Sequence, residues 1–537
     1  MQSYAAACAT FDFAAAEHAA FGRKMSDGIN VCVLCCDRHP QNRVGLRWIG
    51  RDFRMVERTF GELRSGAARF ANLLAAHGIG PGDRVAGLLP RIPELFDVVL
   101  GTWRAGAVYQ PLFTAFGPQA ITPRLAGSGA KLIVTDTANL PKLADVPNCP
   151  PILVIGDGPL PQGATPLAPA MAAQSDSFTP VPRAPDDYFF MLFTSGTTGR
   201  AKGVGWSIRG IVALYLYGAQ GLDIRPDDRF WNLADPGWSY GLAYAVCGPL
   251  MFGIATHMFE GAFTAESTWR ILREHRITNL AGAPTAYRLL MAGGDGPAEG
   301  LRGQIRVISS AGEPLSPEVN RWAARVLGAP IGDHYGQTET GMTICNHHGL
   351  SHPHRPGSTG LAMPGWSLAI LDDTLTPVPV NTPGVLAIDR TKSPLFSFAG
   401  YWQAETPNFQ GDWFLTGDTF ERDADGVFTF VGRADDIITS AGYRIGPFEV
   451  ESALIEHPTV AEAAVVGRPD PERTEIVVAH VVLRDGHEGS NALTADLQSH
   501  VRTRLAAHAY PRVVVYRDAL PKTPSGKTQR YILRQES

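Results

Sequence analysis

The segment Thr194-Ser195-Gly196-Thr197-Thr198-Gly199-Arg200-Ala201-Lys202-Gly203-Val204 constrains this chain more than any other. It follows the apolar run Tyr188-Phe189-Phe190-Met191-Leu192-Phe193, which reads as a buried strand. It precedes an apolar-rich stretch, residues 208–217, that reads as a helix with Ser207 as its N-cap. Between the two lie hydroxyls, glycines and one lysine. That mixture suits a polyphosphate. Glycines let backbone N–H groups approach the anion, hydroxyls add donors, and the lysine supplies a point charge. A flexible linker is the plain alternative, but linkers rarely sit between a buried strand and a helix. A Walker A loop needs G-x-x-x-x-G-K-[ST]; here the glycines stand at 196, 199 and 203 with the lysine at 202, which rejects it.

The chain around this segment alternates. Thr59-Phe60-Gly61-Glu62 is a capping box, with Leu63, Ala67, Phe70 and Leu74 at helical spacing behind it and Gly78 as a stop. Strands are expected at residues 85–89, 107–109, 131–135 and 152–155, with helices at 94–104 and 118–126. Such alternation predicts an α/β fold, a mainly parallel sheet covered by helices. After Gly384 the character shifts. A hairpin turning near Asp425-Gly426 is followed by a small α+β unit with helices at 447–456 and 494–507 and strands near 463–466 and 476–483. The expected division is residues 1–432, a polar hinge at 433–436, and 437–537.

With 537 residues, 18% of them charged, and a net charge of −5, neither a nucleic acid nor an acidic membrane is an obvious partner. Seven thinly spread cysteines argue for a reducing compartment. Cys32-x-x-Cys35 lacks a second pair for zinc, and Cys32, Cys35 and Cys36 read as one face of a packed helix. Residues 1–22 contain no Lys or Arg and read as neither a secretory nor a transit signal. No apolar run approaches the roughly 20 residues that span a bilayer. A cytoplasmic protein is expected.

A second dense cluster is Asp333-His334-Tyr335-Gly336-Gln337-Thr338-Glu339-Thr340. It offers an aromatic ring for a base, a hydroxyl for a phosphate and a carboxylate for Mg²⁺, which on phosphates takes only one or two protein carboxylates. Taken alone it is an ordinary polar loop. Ala311-Gly312-Glu313-Pro314 alone would be a strand-ending turn, and Asp418 in Gly417-Asp418 a turn acid. Pro521-Lys522-Thr523-Pro524-Ser525-Gly526-Lys527-Thr528 mimics the end of a Walker A loop without its first glycine.

Together with Gly432-Arg433 through Leu454, these segments occur in the order found in the adenylate-forming superfamily (acyl-CoA synthetases, luciferases, peptide-synthetase adenylation domains), which the chain resembles over residues 30–533. Ala201 replaces the usual proline of its phosphate loop. The resemblance implies a large N-terminal domain of helix-covered sheets and a small, mobile α+β C-terminal domain. It implies ATP, Mg²⁺ and CoA as reactants, with acyl-AMP and pyrophosphate formed before CoA thiol displaces AMP. A carboxylate is a poor acyl donor, and a mixed anhydride splits one hard step into two easier ones.

The resemblance also assigns residues. Thr194 to Gly199 with Lys202 would form the phosphate loop. Tyr335 would stack on adenine, within a nucleotide site that includes Gly312, Glu313, Pro314, Asp333, His334, Gly336 and Gln337. Thr338 would contact phosphate and Glu339 would hold Mg²⁺. Asp418 and Arg433 would take the ribose, and Arg444 the phosphates. Asp435 would be the hinge, and Gly442 with Tyr443 would lie beside the pantetheine. Lys527 would contact the carboxylate and α-phosphate during adenylation. Trp238, in Asp235-Pro236-Gly237-Trp238, resembles an acyl-pocket tryptophan of acetyl- and medium-chain synthetases. At Gly336 acetyl-CoA synthetases carry a tryptophan that shortens the pocket, so a glycine is expected to leave it open. Residues 442–449 also resemble medium-chain enzymes, whereas residues 30–39 resemble the acetate enzymes' entry segment. A medium-chain or aromatic acid is the favoured substrate, with a short-chain acid or a carrier protein loaded in trans as alternatives. His347, His348, His352 and His354 share one loop; a metal site is one reading, and an exposed connector marked by Pro353 and Pro356 the other.

Residues 521–527 also fit the P-x-x-x-x-G-K pattern of synthetases whose catalytic lysine is acetylated, so a lysine acetyltransferase and a deacetylase are candidate partners. Loss of the Lys527 charge is expected to block the first half-reaction and spare the second. Lys527→Ala should lose ATP–pyrophosphate exchange far more than CoA transfer from supplied acyl-adenylate; equal loss in both assays would count against that role.

Overall fold

The structure is a computed structural model that describes residues 1–195, 201–440, 443–471, 473–505, 509–522 and 528–536. The expected alternation is present. Glu94–Arg104 is a helix with the predicted bounds, and Ile152–Ile155 a strand with the predicted bounds. Thr59 caps the helix Phe60–Ala76 reciprocally with Glu62. Two large sheets result. One has seven strands, ordered 201–207, 188–195, 108–112, 84–88, 132–136, 152–155 and 164–166. The other has nine, ordered 361–362, 341–345, 331–337, 307–311, 279–282, 230–232, 256–259, 44–49 and 55–59. The inner strands of the second run parallel, and antiparallel strands close both ends. Leu46 pairs with Thr256, so the N-terminal strands complete a sheet made mostly of distant sequence.

The helices between the sheets are buried because their sequences are apolar on nearly every face. Helix Glu94–Arg104 has Leu95, Phe96, Val98, Val99, Leu100 and Trp103 in the main core. Segment 31–37 buries Cys32, Cys35 and Cys36, as its pattern predicts, and the Cys35 thiol lies 3.7 Å from the Cys247 sulfur. Both cysteines stand on π-helical turns, Val33–Asp37 and Leu242–Cys247, for which the sequence carries no periodicity signal.

A third, antiparallel sheet comprises Leu368–Leu371, Gly384–Asp389, Phe409–Gln410, Trp413–Arg422 and Phe428–Arg433. A fourth, with its own core around Val450, Val465 and Val477, is built from residues 438–517 and carries helices Pro447–Ile455 and Asn491–Arg504. Arg433 ends the third sheet and Ile438 begins the fourth. No helix among the described residues is long and apolar enough to cross a membrane.

The largest departure from expectation is at the central segment. Ala201–Ser207, where no strand was expected, is a strand antiparallel to Tyr188–Ser195. Helical structure begins at Ile208, as expected, but Ser207 makes no side-chain cap. Gly203 and Gly205 conceal the alternation that would have revealed the strand. They are glycine because Trp402 and Tyr188 press on them: a Cβ would lie 3.0 Å from the Trp402 Cβ and 2.5 Å from the Tyr188 ring.

Helix Phe60–Ala76 packs on Glu94–Arg104 at Gly66. A Cβ there would fall 1.8 Å from Asp97 Oδ1, a buried carboxylate bound by both guanidinium nitrogens of Arg58 at 2.8 and 3.0 Å. Alanine in a helix interior normally gains about 1 kcal/mol over glycine. Here the clash would break a buried ion pair, so Gly66→Ala should instead destabilise the fold by roughly 1–3 kcal/mol. Chemical denaturation would check the sign; a gain would show that Asp97 moves aside freely.

Candidate active site

The hairpin and the Gln337–Glu339 corner meet through one hydrogen bond. Trp206, near the end of the second hairpin strand, donates its indole N–H to the Thr338 carbonyl at 2.7 Å and stacks on Phe190. This holds the hairpin of one sheet against the acidic corner of the other. Lys202 sits opposite Thr194 in the hairpin ladder, and its ammonium lies 4.7 Å from the centre of the Tyr401 ring. The Tyr401 hydroxyl donates to Glu339 Oε1 at 2.9 Å. Burial pushes the Glu339 carboxyl above its usual range, and the hydrogen bonds from its own backbone and from Tyr401 work against that shift.

Next to this corner the strand Ile331–Gln337 alternates faces. Tyr335 packs edge-on against Phe420, and its hydroxyl donates to Asp418 Oδ2 at 2.6 Å. The Gln337 amide donates to the same oxygen at 2.7 Å and to the Thr416 carbonyl at 2.9 Å. Arg433, opposite Asp418 in the third sheet, approaches it to 3.6 Å and Asp435 to 3.1 Å. Burial works against the Arg433 charge, but Asp418, Asp435 and Asp436 hold its pKa above the ordinary value. Thus Tyr335, Gln337, Asp418 and Arg433 form one polar cluster. Gly312, just past the strand that pairs with Ile331–Gln337, has φ +94 and open space around its absent side chain, so its backbone can approach a flat ligand. Glu313 accepts from Thr285 at 2.8 Å and from Arg288 at 2.9 Å, and Pro314 follows half-buried. Asp333 is buried, which pushes its carboxyl well above the usual range.

Several expected site residues face elsewhere. His334 points to the opposite side of its strand from Tyr335. There Tyr217 donates to Nδ1 at 2.8 Å, and Nε2–H donates to the Asn346 carbonyl at 3.2 Å. Burial keeps this histidine neutral. The ring contacts of Trp238 are to Phe113 and Phe116, at 5.2 and 5.4 Å. Gly336 is a correction. A Cβ there would lie 2.1 Å from the Gly341 carbonyl oxygen and 2.8 Å from Met342 Cα. The glycine is required by backbone contact across a bulged strand pair and does not by itself open a pocket. His347 is buried and His348 half-buried, against the exposed-connector reading, and no cluster of His, Cys, Asp or Glu suited to a metal occurs among the described residues. Gly196, Thr197, Thr198, Gly199, Gly442 and Lys527 lie outside the described residues, as do the side chains of Ser195 and Arg444. Tyr443 is 51% exposed.

Tyr401 was not singled out from the sequence. Its signal was present in Phe398-Ala399-Gly400-Tyr401-Trp402, an aromatic cluster around a glycine, but nothing local connects that segment to residues 202 and 339.

The arrangement can hold a nucleotide beside Tyr335 and the Gly312 backbone, with polar groups at Asp418 and Arg433 and a cation and an acid at Lys202 and Glu339. Glu339 has no ion-pair partner within 4 Å among the described residues. A partly desolvated carboxylate of this kind fits a hard divalent cation carried by phosphates. The AMP-binding enzyme family matches residues 35–402, and the AMP-binding enzyme C-terminal domain matches residues 449–527. The chain is an AMP-binding enzyme. It is 36% identical to an acetyl-coenzyme A synthetase of Bacillus subtilis over 94% of this chain and 90% of that one. A solved acyl-CoA synthetase of Brucella canis superposes with a TM-score of 0.82 at 53% identity, covering 100% of this chain and 99% of that one. An anthranilate CoA ligase solved with anthranoyl-AMP superposes with a TM-score of 0.87 at 27% identity, over 96% of this chain and 99% of that one.

In this AMP-binding enzyme, Gly336→Ala should lower the melting temperature and reduce pyrophosphate exchange with every acid alike. A changed chain-length profile at unchanged stability would return Gly336 to the pocket wall.

Proposed function

We propose that this AMP-forming acyl-CoA synthetase activates a monocarboxylic acid larger than acetate, medium-chain or aromatic, and transfers it to CoA. The observation that carries the size assignment is the likeness, over 96% of this chain, to a CoA ligase of an aromatic acid, anthranilate. A short-chain acid is the second reading, favoured by the acetyl-coenzyme A synthetase relatives.

The chemistry follows from charge and position. Tyr335 and the Gly312 backbone would hold the adenine. Asp418 would exchange its bonds from Tyr335 and Gln337 for those of the ribose hydroxyls, with Arg433 beside it. Lys202 would meet the phosphates, and Glu339 would hold Mg²⁺, which supplies charge neutralisation to the departing pyrophosphate. The substrate carboxylate then attacks the α-phosphorus, the acyl–phosphate bond forms, and the bond to pyrophosphate breaks. Lys527 would balance the charge that develops there. In the second step the CoA sulfur attacks the acyl carbon and AMP leaves.

The small domain would change orientation between the two steps by a turn at Asp435. Arg530, three residues beyond Lys527, feels the charge of Glu313 in the large domain, while Tyr443, beside Gly442, is turned outward. That arrangement suits the adenylating half-reaction, with the Lys527 side of the small domain engaged.

The test is pyrophosphate release from Mg-ATP with acetate through decanoate and benzoate, each with and without CoA. CoA-dependent turnover peaking at four carbons or more, or at benzoate, is the expected result. A peak at acetate would establish the second reading, and exchange without CoA-dependent turnover a carrier-loading enzyme.

A further inference from the structure

Tyr401 lies in neither dense motif, yet it touches both. Its segment is fastened to the hairpin by the Trp402 N–H, which donates to the Gly203 carbonyl at 2.8 Å. The segment's own turn is closed by the Tyr401 N–H on Thr406 Oγ1, also at 2.8 Å. The ring rests edge-on against Phe398 at 5.3 Å, which fixes its orientation. From this anchored position the hydroxyl reaches Glu339 Oε1 at 2.9 Å, and the ring face receives the Lys202 ammonium at 4.7 Å.

We propose that Tyr401 is a positioning residue for the metal–phosphate end of the site: its hydroxyl holds one oxygen of Glu339 and its ring seats the Lys202 ammonium, so one side chain aligns the metal ligand with the phosphate-loop cation. The hydroxyl can only donate to a carboxylate, so it fixes the rotation of Glu339 and leaves the second oxygen for a cation. The ring attracts an ammonium through its quadrupole without neutralising it. Lys202 is therefore held in place with its full charge available to phosphate. The two functions are separable, because phenylalanine keeps the ring and loses the hydroxyl, whereas leucine loses both.

The inference rests on the assignment of Glu339 to Mg²⁺. Its test is equilibrium binding of ATP to the full-length enzyme by calorimetry, without acid or CoA, once in excess Mg²⁺ and once in EDTA. A Mn²⁺ titration followed by electron paramagnetic resonance in the presence of a non-hydrolysable ATP analogue accompanies it. Tyr401→Phe should weaken ATP binding about 10-fold in Mg²⁺ and weaken Mn²⁺ binding similarly, as loss of an outer-shell hydrogen bond does. Its affinity for ATP in EDTA should match the parent enzyme, which also reports that the fold is intact. Tyr401→Leu should in addition lose affinity in EDTA, because Lys202 loses its seat. Parent-like binding of Tyr401→Phe in Mg²⁺, or an equal loss in Mg²⁺ and EDTA, would overturn the proposal. If Mg²⁺ left ATP binding by the parent enzyme itself unchanged, the Glu339 assignment would fall and Tyr401 with it. None of these outcomes depends on which acid the enzyme uses.

Discussion

The hydrogen bond from the Trp206 indole to the Thr338 carbonyl is the joint on which the site depends. It crosses from the seven-stranded sheet to the nine-stranded one. The hairpin with Lys202 belongs to one sheet and the Glu339 corner to the other. The bond is half-buried and backed by the Phe190 ring, which reduces competition from water. Tyr401 then makes a second bridge between the same two elements. Trp206 and the Tyr401 segment thus both tie the hairpin to the Gln337–Glu339 corner.

Much of the architecture was legible because local patterns and tertiary packing agree. The Thr59–Glu62 box, the apolar periodicity of residues 60–76 and the apolar run at 188–193 each carry their signal within a few residues. The hairpin was misread for the opposite reason. Gly203 and Gly205 exist to let Trp402 and Tyr188 pack, and a strand interrupted by glycines has no period to read. Site residues divide in the same way. Tyr335, Asp418 and Arg433 converge as expected, because each motif was dense enough to be recognised. Tyr401 was missed because its meaning lies in two contacts, each to residues far away in the chain. His334 was grouped with the nucleotide residues by its place in a motif, and strand alternation turns it the other way. Gly336 was read as missing bulk; the structure shows a backbone with no room for bulk.

Buried and half-buried ion pairs tie the C-terminal region together. Arg530 binds both oxygens of Glu451 at 2.8 Å, and Arg530 and Arg534 both approach Asp436, at the end of the connecting segment. Arg321 of the large domain reaches Glu456 at 2.9 Å. The Arg530 network is sheltered and internal to the C-terminal region, whereas the Arg321 pair is exposed. An exposed pair contributes little, on the order of 0–1 kcal/mol, and is easily exchanged for water.

The pairing of Leu46 with Thr256 also bears on how the molecule is made. The strands at 44–49 and 55–59 form early on the ribosome, but the inner strand they join is about 210 residues further along. At roughly 5–20 residues per second, synthesis leaves them waiting about 10–40 s. During that interval the N-terminal hairpin exposes its unpaired flank, with Leu46 and Ile49 not yet covered, as a nascent chain that a chaperone can shelter or a neighbouring polysome can capture. Slow synthesis therefore exposes the beginning of this protein longer than its end.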